Sequence, residues 1–391
     1  MLKGNKGDWS ELYVFAKLLA DGKLFQSDIN LKRVETDFYE VIKVYREETE
    51  SLEYNRENEV KIYKVSNGKK EQIGTLDIDY LRQKARDIYN GILKGKGLKF
   101  EIETANDLIE NSHIQKLTAP ITSKSDIKLR IYDHRLAKEA DLGFSIKSLL
   151  GQDSTLFNTG PGNNFIYEIE KKLNTTLIEF NRSTYKPAGK VSKISFRLQK
   201  IIEELGLKLE FKTIQSNQLW KNLKMIDGDL PELLAFSLLY RYLYRNTSVI
   251  EIVKLLEEKD PLNFYNGIKS DQKLYEYKLK RFLAECAMGM TSEKPWQGIY
   301  DATGGVIICK KDGDIVCFHI YDFNLFREYL LNNTMFEQPS TGEDENNPGN
   351  PRLAKKEETS KPKKYYFGWL YEDTEASEVL NLKLNLQIRF I

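Results

Sequence analysis

Ser125-Asp126-Ile127-Lys128-Leu129-Arg130-Ile131 and, one polar turn later, Leu142-Gly143-Phe144-Ser145-Ile146-Lys147-Ser148-Leu149 decide how this chain reads. The first run alternates strictly, apolar then basic, as a half-buried strand does. The second is more apolar, as a central strand is. The stretch His134 to Ala140 supplies the turn, so the pair is expected to form a hairpin. Asp126 stands at the mouth of the first strand and Lys147 inside the second. A lysine taken out of water is costly unless paired, so Lys147 calls for an anionic neighbour. Strand alternation puts Asp141, Gly143, Ser145 and Lys147 on one face. If the strands pair, Asp126 comes near Ser145 and Lys147. A carboxylate, a small polar side chain and a lysine converging there suit metal-assisted phosphodiester hydrolysis. The carboxylate would hold Mg²⁺, the metal would neutralise charge developing on the phosphate, and the lysine would orient or activate water. A structural ion pair under a sheet accounts for the same spacing.

Outward from this hairpin the chain alternates between strand and helix signals. Asp8 and Glu11 have capping-box spacing ahead of Leu12, Phe15, Ala16, Leu18 and Leu19, and Gly22 offers a stop. Strand-like runs follow at Val41–Tyr45 and Val60–Val65, the latter leading into the turn Ser66-Asn67-Gly68-Lys69. Leu76 to Leu93 reads as a helix, and a shorter one covers roughly 106–117. Residues 164–169 and 207–211 are further strand candidates. After about residue 215 the pattern turns helical, with capping-box spacings at Asp229/Glu232 and Ser248/Glu251 opening apolar helices and a third over 275–287. Strands return at 305–310 and 315–320 around Asp312-Gly313, a hairpin signal. The run 337–364, rich in Pro, Gly, Asn, Glu and Lys without periodicity, reads as a mobile insertion. Strands are expected again at 365–371 and 380–390.

The composition bounds the answer. Of 391 residues 41% are hydrophobic, enough for a sizeable core, and Lys+Arg (59) nearly cancels Asp+Glu (58) to leave a formal +1. Disorder of the whole chain is therefore excluded, and a globally basic nucleic-acid binder with it. Cys286, Cys309 and Cys317 form no CxxC pair, and with His113, His134 and His319 they make no convincing zinc site. All three thiols read as small buried hydrophobes, and His319 as a surface or core histidine rather than a catalyst. No apolar run reaches the roughly 18–20 residues of a membrane span. No secretory leader is read at the start, where Lys3 and Lys6 are followed by Asp8, Glu11 and Lys17. A soluble cytoplasmic protein is expected.

The chain resembles the HpaII family of type II restriction endonucleases, within the PD-(D/E)XK nuclease superfamily. The resemblance lies in Gly4-Asn5-Lys6-Gly7-Asp8-Trp9-Ser10-Glu11, Ser125-Asp126-Ile127 and Leu142 through Ser148. It continues through Leu150-Gly151, Ser154-Thr155-Leu156 and Asn164-Phe165-Ile166-Tyr167, then Glu285 to Met290, Tyr300 to Gly305, Leu330 to Thr334 and Leu384 to Phe390, in order along nearly the whole chain. It implies an α/β fold, a restriction-endonuclease-like mixed central sheet flanked by helices, with a helical insertion and C-terminal strands. The expected division is a nuclease core over 1–215, a helical region over 216–300 and a β-rich region over 301–391. Residue by residue, Asp126 matches the metal-binding Asp and Lys147 the lysine. Ser145 stands where the motif has its second acid, which leaves the metal site a ligand short. The resemblance implies that Glu11 on the first helix supplies it; Glu139 or Asp141 are lesser candidates, and Gln152 could assist. Glu11 has a plainer reading as a capping residue alone.

The activity implied is Mg²⁺-dependent cutting of both strands of duplex DNA at a short palindrome, 5′-CCGG-3′ by resemblance, within a restriction-modification system of a bacterium or archaeon. A palindrome mirrors a two-fold protein, so a homodimer is expected on DNA. The clearest basic window runs from Asn181 to Ile202 and carries Arg182, Lys186, Lys190, Lys193, Arg197 and Lys200 with no acid until Glu203. Phosphate contacts are expected there, unless it is an ordinary solvated face. Base contacts are expected in the loop from Ser154 through Thr155 and Asn158 to Asn164, and near Ser340-Thr341, because Asn reads adenine edges. The formal +1 should resolve into a positive cleft around Asp126 and Lys147. Alternatives are another DNA nuclease of the same fold, a DNA-binding protein impaired in catalysis by Ser145, and a protein-interaction scaffold.

Overall fold

A helix, α1 (Lys6–Asp21), opens the chain three residues before the expected cap. Its N-cap is Asn5, whose side chain accepts the Asp8 N–H at 3.0 Å while Asp8 Oδ2 accepts the Asn5 N–H at 2.8 Å. The capping box is therefore Asn5/Asp8, and Glu11 is not part of it. Gly22 ends the helix in the left-handed region (φ 69°) and donates its N–H to the Leu18 carbonyl. Trp9, Leu12, Tyr13, Phe15, Leu18 and Leu19 are all buried, so α1 is covered on most sides.

The computed structural model describes residues 2–118, 125–151, 155–268, 270–300, 302–352, 366–373 and 378–391. They fall into two compact units, Met1–Ser154 with Ile299–Tyr329, and Thr155–Gly298 with Leu330–Ile391. This cuts across the expected division at 215 and 300. Strand pairing is the reason, because each unit recruits a distant segment as a neighbour in its own sheet.

In the first unit α1 is followed by β1 (Lys23–Ser27), β2 (Arg33–Glu47), β3 (Ser51–Arg56), β4 (Val60–Ser66), β5 (Lys69–Leu76) and α2 (Ile78–Lys94). Then come β6 (Ile127–Asp133), β7 (Lys138–Ser148) and, after the excursion through the second unit, β8 (Gly305–Cys309) and β9 (Ile315–His319). The strand order is β1-β9-β8-β7-β6-β2-β3-β4-β5, and β1 also pairs with β2. Six strands thus close on themselves into a barrel-like sheet, where a restriction-endonuclease-like mixed central sheet flanked by helices was expected. The closure arises from β2, fifteen residues long, which pairs with β1 near its start and with β3 near its end. The sheet is mixed: β8 runs parallel to β7 and β9 parallel to β1, the other pairs being antiparallel. The β4–β5 turn places Asn67 and Gly68 at φ 50° and 75°, the two-residue form that Asn-Gly favours. Gly305 has φ 116°, and a Cβ there would meet the Phe318 carbonyl at 2.1 Å, so only glycine lets β8 start beside β9. One face of the hairpin, Ile127, Leu129, Ile131 and Phe144, joins α1, Ile307, Cys309, Ile315 and Cys317 in a single apolar core.

The second unit holds a four-stranded antiparallel sheet, ordered 210–214, 164–170, 379–385, 370–372, and a three-stranded one of 334–336, 388–390 and 155–157. Helices Asn217–Ile226, Leu230–Leu243, Val249–Lys259 and Leu274–Ala287 fill the stretch read as helical. Tyr167 ties sheet to helix by donating its hydroxyl to the Ala235 carbonyl at 2.6 Å. The helices begin where the Asp229 and Ser248 signals put them, yet neither side chain makes a cap bond. The box that does form, Thr176/Glu179, opens a helix that the pattern did not announce. Residues 337–352 are built into this unit, contrary to a mobile run: Glu343 is buried and forms a bridge with Pro351. Residues 353–364 of that run lie outside the described residues.

Candidate functional site

The expected hairpin forms, with Ile127 opposite Phe144, Lys128 opposite Gly143 and Arg130 opposite Asp141. The Asp126 N–H donates to the Phe144 carbonyl at 2.9 Å, which pins the mouth of β6 to β7. Asp126 Oδ2 accepts the Ile146 N–H at 2.6 Å and the Ser145 hydroxyl at 3.1 Å. Ser145 therefore serves the carboxylate as a donor, in the place where a second carboxylate would repel it. Lys147 lies two residues along the same face, about 7 Å on at the usual strand rise. It is half-buried, and among the described residues it makes no ion pair. The anionic partner that the sequence argument asks for beside Lys147 does not take the form of a salt bridge among the described residues. On one side, Ser145 and Lys147 are flanked by Val306 and Ile308 of β8, both fully buried. On the other side the face opens onto Lys128, Arg130 and Tyr45. The site lies where a dry strand meets a wet one.

The remaining acids are placed differently. Glu11 is on α1, partly exposed and outside the capping box. Its neighbour Ser10 makes a hydroxyl–hydroxyl bond of 2.7 Å to Ser148. Alternation puts Ser148 on the opposite face of β7 from Ser145 and Lys147. The structure joins Asp126 to Ser145 and sets Glu11 on a helix that meets the end of β7 from the other face. Asp141 is engaged by Arg130 through both carboxylate oxygens, at 2.7 and 2.8 Å, and accepts the Tyr45 hydroxyl at 2.9 Å. The Arg130 guanidinium, ahead of the Tyr45 bond, holds its carboxyl below the usual range. Glu139 is exposed, and Gln152 lies outside the described residues. Among the described residues no three His, Cys, Asp or Glu side chains gather to hold a metal ion. The donors at Asp126 are oxygens, with no thiolate or imidazole, and that set fits Mg²⁺. This ion keeps most of its shell as water and phosphate oxygen and takes one or two protein carboxylates.

Cys286, Cys309 and Cys317 are buried as expected, with burial pushing the Cys309 thiol up to about 12. His319 is buried too, and burial, then Arg135, pushes it down to about 4, so it is neutral at ordinary pH.

The described residues expected on DNA all belong to the second unit. Ser154 lies outside the described residues. Thr155 is in the three-stranded sheet, half-exposed, and Asn158 is exposed at the turn that follows. Asn164 is 1% exposed; its amide donates to Gln215 at 3.0 Å and its carbonyl accepts from Asn385 at 2.7 Å. Asn164 is scaffold, not an open base reader. Thr341 is buried as well. Asn385 also donates to the Gly160 carbonyl at 2.9 Å and accepts the Thr159 hydroxyl at 2.6 Å, so one buried amide holds the whole turn. Asn385→Ala should therefore leave several buried groups unpaired and cost about 1–3 kcal/mol. Urea unfolding measures it, and a midpoint equal to the parent's would show that the turn is held by other contacts.

The basic window changes most. Arg197 is fully buried and pairs with Glu343 at 2.6 and 3.0 Å. Lys193 binds the same carboxylate at 2.8 Å, and burial pushes its ammonium down despite that bond. Lys186 pairs with Glu345 at 2.7 Å. Arg182 and Lys190 are exposed. Acids far along the chain thus neutralise half of a window that looks acid-free in sequence. Conversely, the sequence reading passed over Lys128 and Tyr45. The strict apolar–basic alternation of Ile127 to Ile131 was the available signal.

The HpaII restriction endonuclease family model matches residues 5–346. The type II restriction enzyme HpaII of Haemophilus parainfluenzae is 33% identical over 391 residues, covering 99% of this chain and 98% of the relative. No solved structure matches the chain.

Proposed function

Since the chain belongs to the HpaII restriction endonuclease family, we propose that it cuts both strands of duplex DNA at a short palindrome with the help of Mg²⁺. It is a type II site-specific endonuclease, and its substrate is DNA. The palindrome proposed is CCGG, cutting being blocked by a cognate methyltransferase, in the cytoplasm of a bacterium or archaeon. No helix among the described residues is long and apolar enough to cross a membrane.

The observation that supports the mechanism is the Asp126–Ser145–Ile146 bonding beside Lys147, which makes no ion pair among the described residues. Asp126 is aimed by two donors on one oxygen, Oδ2, which would leave Oδ1 for a ligand. Ser145 holds that orientation without adding charge. Lys147, its stem against buried Ile308, presents an ammonium to a phosphate lying along the face. Glu11 is proposed as the second oxygen donor by resemblance alone, since its helix meets β7 from the face opposite Ser145 and Lys147. When bound, Mg²⁺ would neutralise the charge that accumulates on the phosphate and lower the pKa of its water. A homodimer is proposed on DNA, because a two-fold site is read most simply by a two-fold protein.

Incubation with plasmid and Mg²⁺ should give discrete fragments whose ends map to CCGG, and DNA methylated within that site should resist. A smear, or fragments insensitive to methylation, favours a nuclease of other specificity. DNA binding without cleavage under any divalent metal favours a protein in which Ser145 has removed catalysis.

A further inference from the structure

On the outer face of the first unit's sheet, cross-strand neighbours form continuous rows. One row runs Gly143, Lys128, Tyr45, Glu53, Tyr63, Gln72 from β7 to β5. The next runs Asp141, Arg130, Lys43, Asn55, Lys61. Asp126, Ser145 and Lys147 stand at the β7 end of the same face.

The charges on these rows do not balance. Glu53 is shared by Lys43 and Lys70, each at 2.6 Å. Asp141 is taken by Arg130. Lys128 is exposed, lies over the Tyr45 ring at 5.2 Å, and among the described residues makes no ion pair. Tyr45 is fixed by its bond to Asp141, so it props the Lys128 stem while the ammonium stays in water.

We infer that this face, with Lys128 at its centre, is the track on which the backbone of duplex DNA lies beside the cut site. The inference rests on the nuclease reading above and locates its substrate. Three observations favour DNA as the occupant. The surplus charge is positive. The face is continuous with Asp126 and Lys147. Six strands at about 4.8 Å spacing span roughly 24 Å, the rise of about seven base pairs. In the sequence window 181–202, Glu343 and Glu345 occupy Lys186, Lys193 and Arg197, whereas among the described residues Lys128 makes no ion pair.

The test is equilibrium binding of a short fluorescent duplex containing CCGG, in EDTA so that it stays intact, across a salt series. Lys128→Glu should weaken binding on the order of tenfold, and equally on a duplex lacking CCGG, because phosphate contacts carry no sequence. The slope of log affinity against log salt should become shallower by about one for the lost contact. Lys128→Arg should keep the parent's slope. Lys128 is exposed, and matching urea midpoints for the variants would exclude unfolding as the cause. Parent affinity and slope in Lys128→Glu overturn this surface and leave the nuclease reading standing. A parent protein that binds neither duplex at low salt overturns that reading itself, and would turn attention to an acidic protein as the occupant.

Discussion

Asp126→Ala is expected to reduce cutting by on the order of 10³-fold or more while the protein still binds duplex DNA. The rate loss follows from what Asp126 is asked to supply. It is the carboxylate that both hairpin donors orient, Ile146 N–H at 2.6 Å and Ser145 Oγ at 3.1 Å. An electrophilic metal stabilises charge developing on a phosphate by several kcal/mol, and each ~1.4 kcal/mol is tenfold in rate. Binding survives because affinity for duplex comes from phosphate contacts spread over the surface, and removing a carboxylate from that surface lowers repulsion. Lys147→Ala should lose a comparable factor in rate. Glu11→Gln separates the two ways of completing the site: a large loss makes Glu11 a metal ligand, and parent activity leaves Asp126 as the protein's main oxygen donor. Single-turnover cleavage with enzyme in excess reads the rates, and anisotropy in EDTA reads binding. Full cutting by Asp126→Ala would move the site elsewhere in the chain.

Much of this site was legible because its signals are local. Strict alternation over Ile127–Ile131 and the apolar run around Lys147 define two strands. Their pairing then brings Asp126 to Ser145 with no further information. What was not legible depends on partners remote in sequence. The six-strand closure needs β1 to pair with β2 and with β9, residues 23–27 meeting 315–319, and no pattern in a five-residue strand announces that. Capping boxes misled for a related reason. Spacing alone offers Asp8/Glu11 and Asn5/Asp8 equally, and only the backbone conformation at Asn5 selects between them. That selection leaves Glu11 outside the capping box. The apparent acid-free window 181–202 is half neutralised because Glu343 and Glu345, from a stretch read as mobile, fold back onto Lys186, Lys193 and Arg197.

That last pairing carries the largest expected effect on stability. Arg197 and Glu343 are both fully buried, and the guanidinium makes five hydrogen bonds, two of them to Glu343. Nε donates to Thr184 Oγ1 at 2.7 Å, one terminal nitrogen to the Gly368 carbonyl at 2.6 Å, and the other to the Asn181 carbonyl at 3.1 Å. Glu343 in turn accepts the Gly349 N–H at 2.8 Å and the Lys193 ammonium at 2.8 Å. Removing one member leaves the other charge buried with part of its partners gone. Arg197→Met and Glu343→Gln are each expected to destabilise the second unit by about 3–5 kcal/mol. Glu343→Gln should fall at the lower end, because it keeps an acceptor and Gln can still meet Gly349. The double variant Arg197→Met/Glu343→Leu should recover much of the loss, since a packed apolar pair is about as stable as a buried ion pair once both charges are gone. Urea denaturation followed by tryptophan fluorescence gives the values, with each variant's DNA binding measured alongside. If both single variants fall within about 0.5 kcal/mol of the parent, the pair is not buried as placed, and Glu343 does not hold residues 337–352 against the basic window. In that event Lys193 and Arg197 return as phosphate contacts, and the salt slope of DNA binding should lose about one contact for each when they are replaced by alanine.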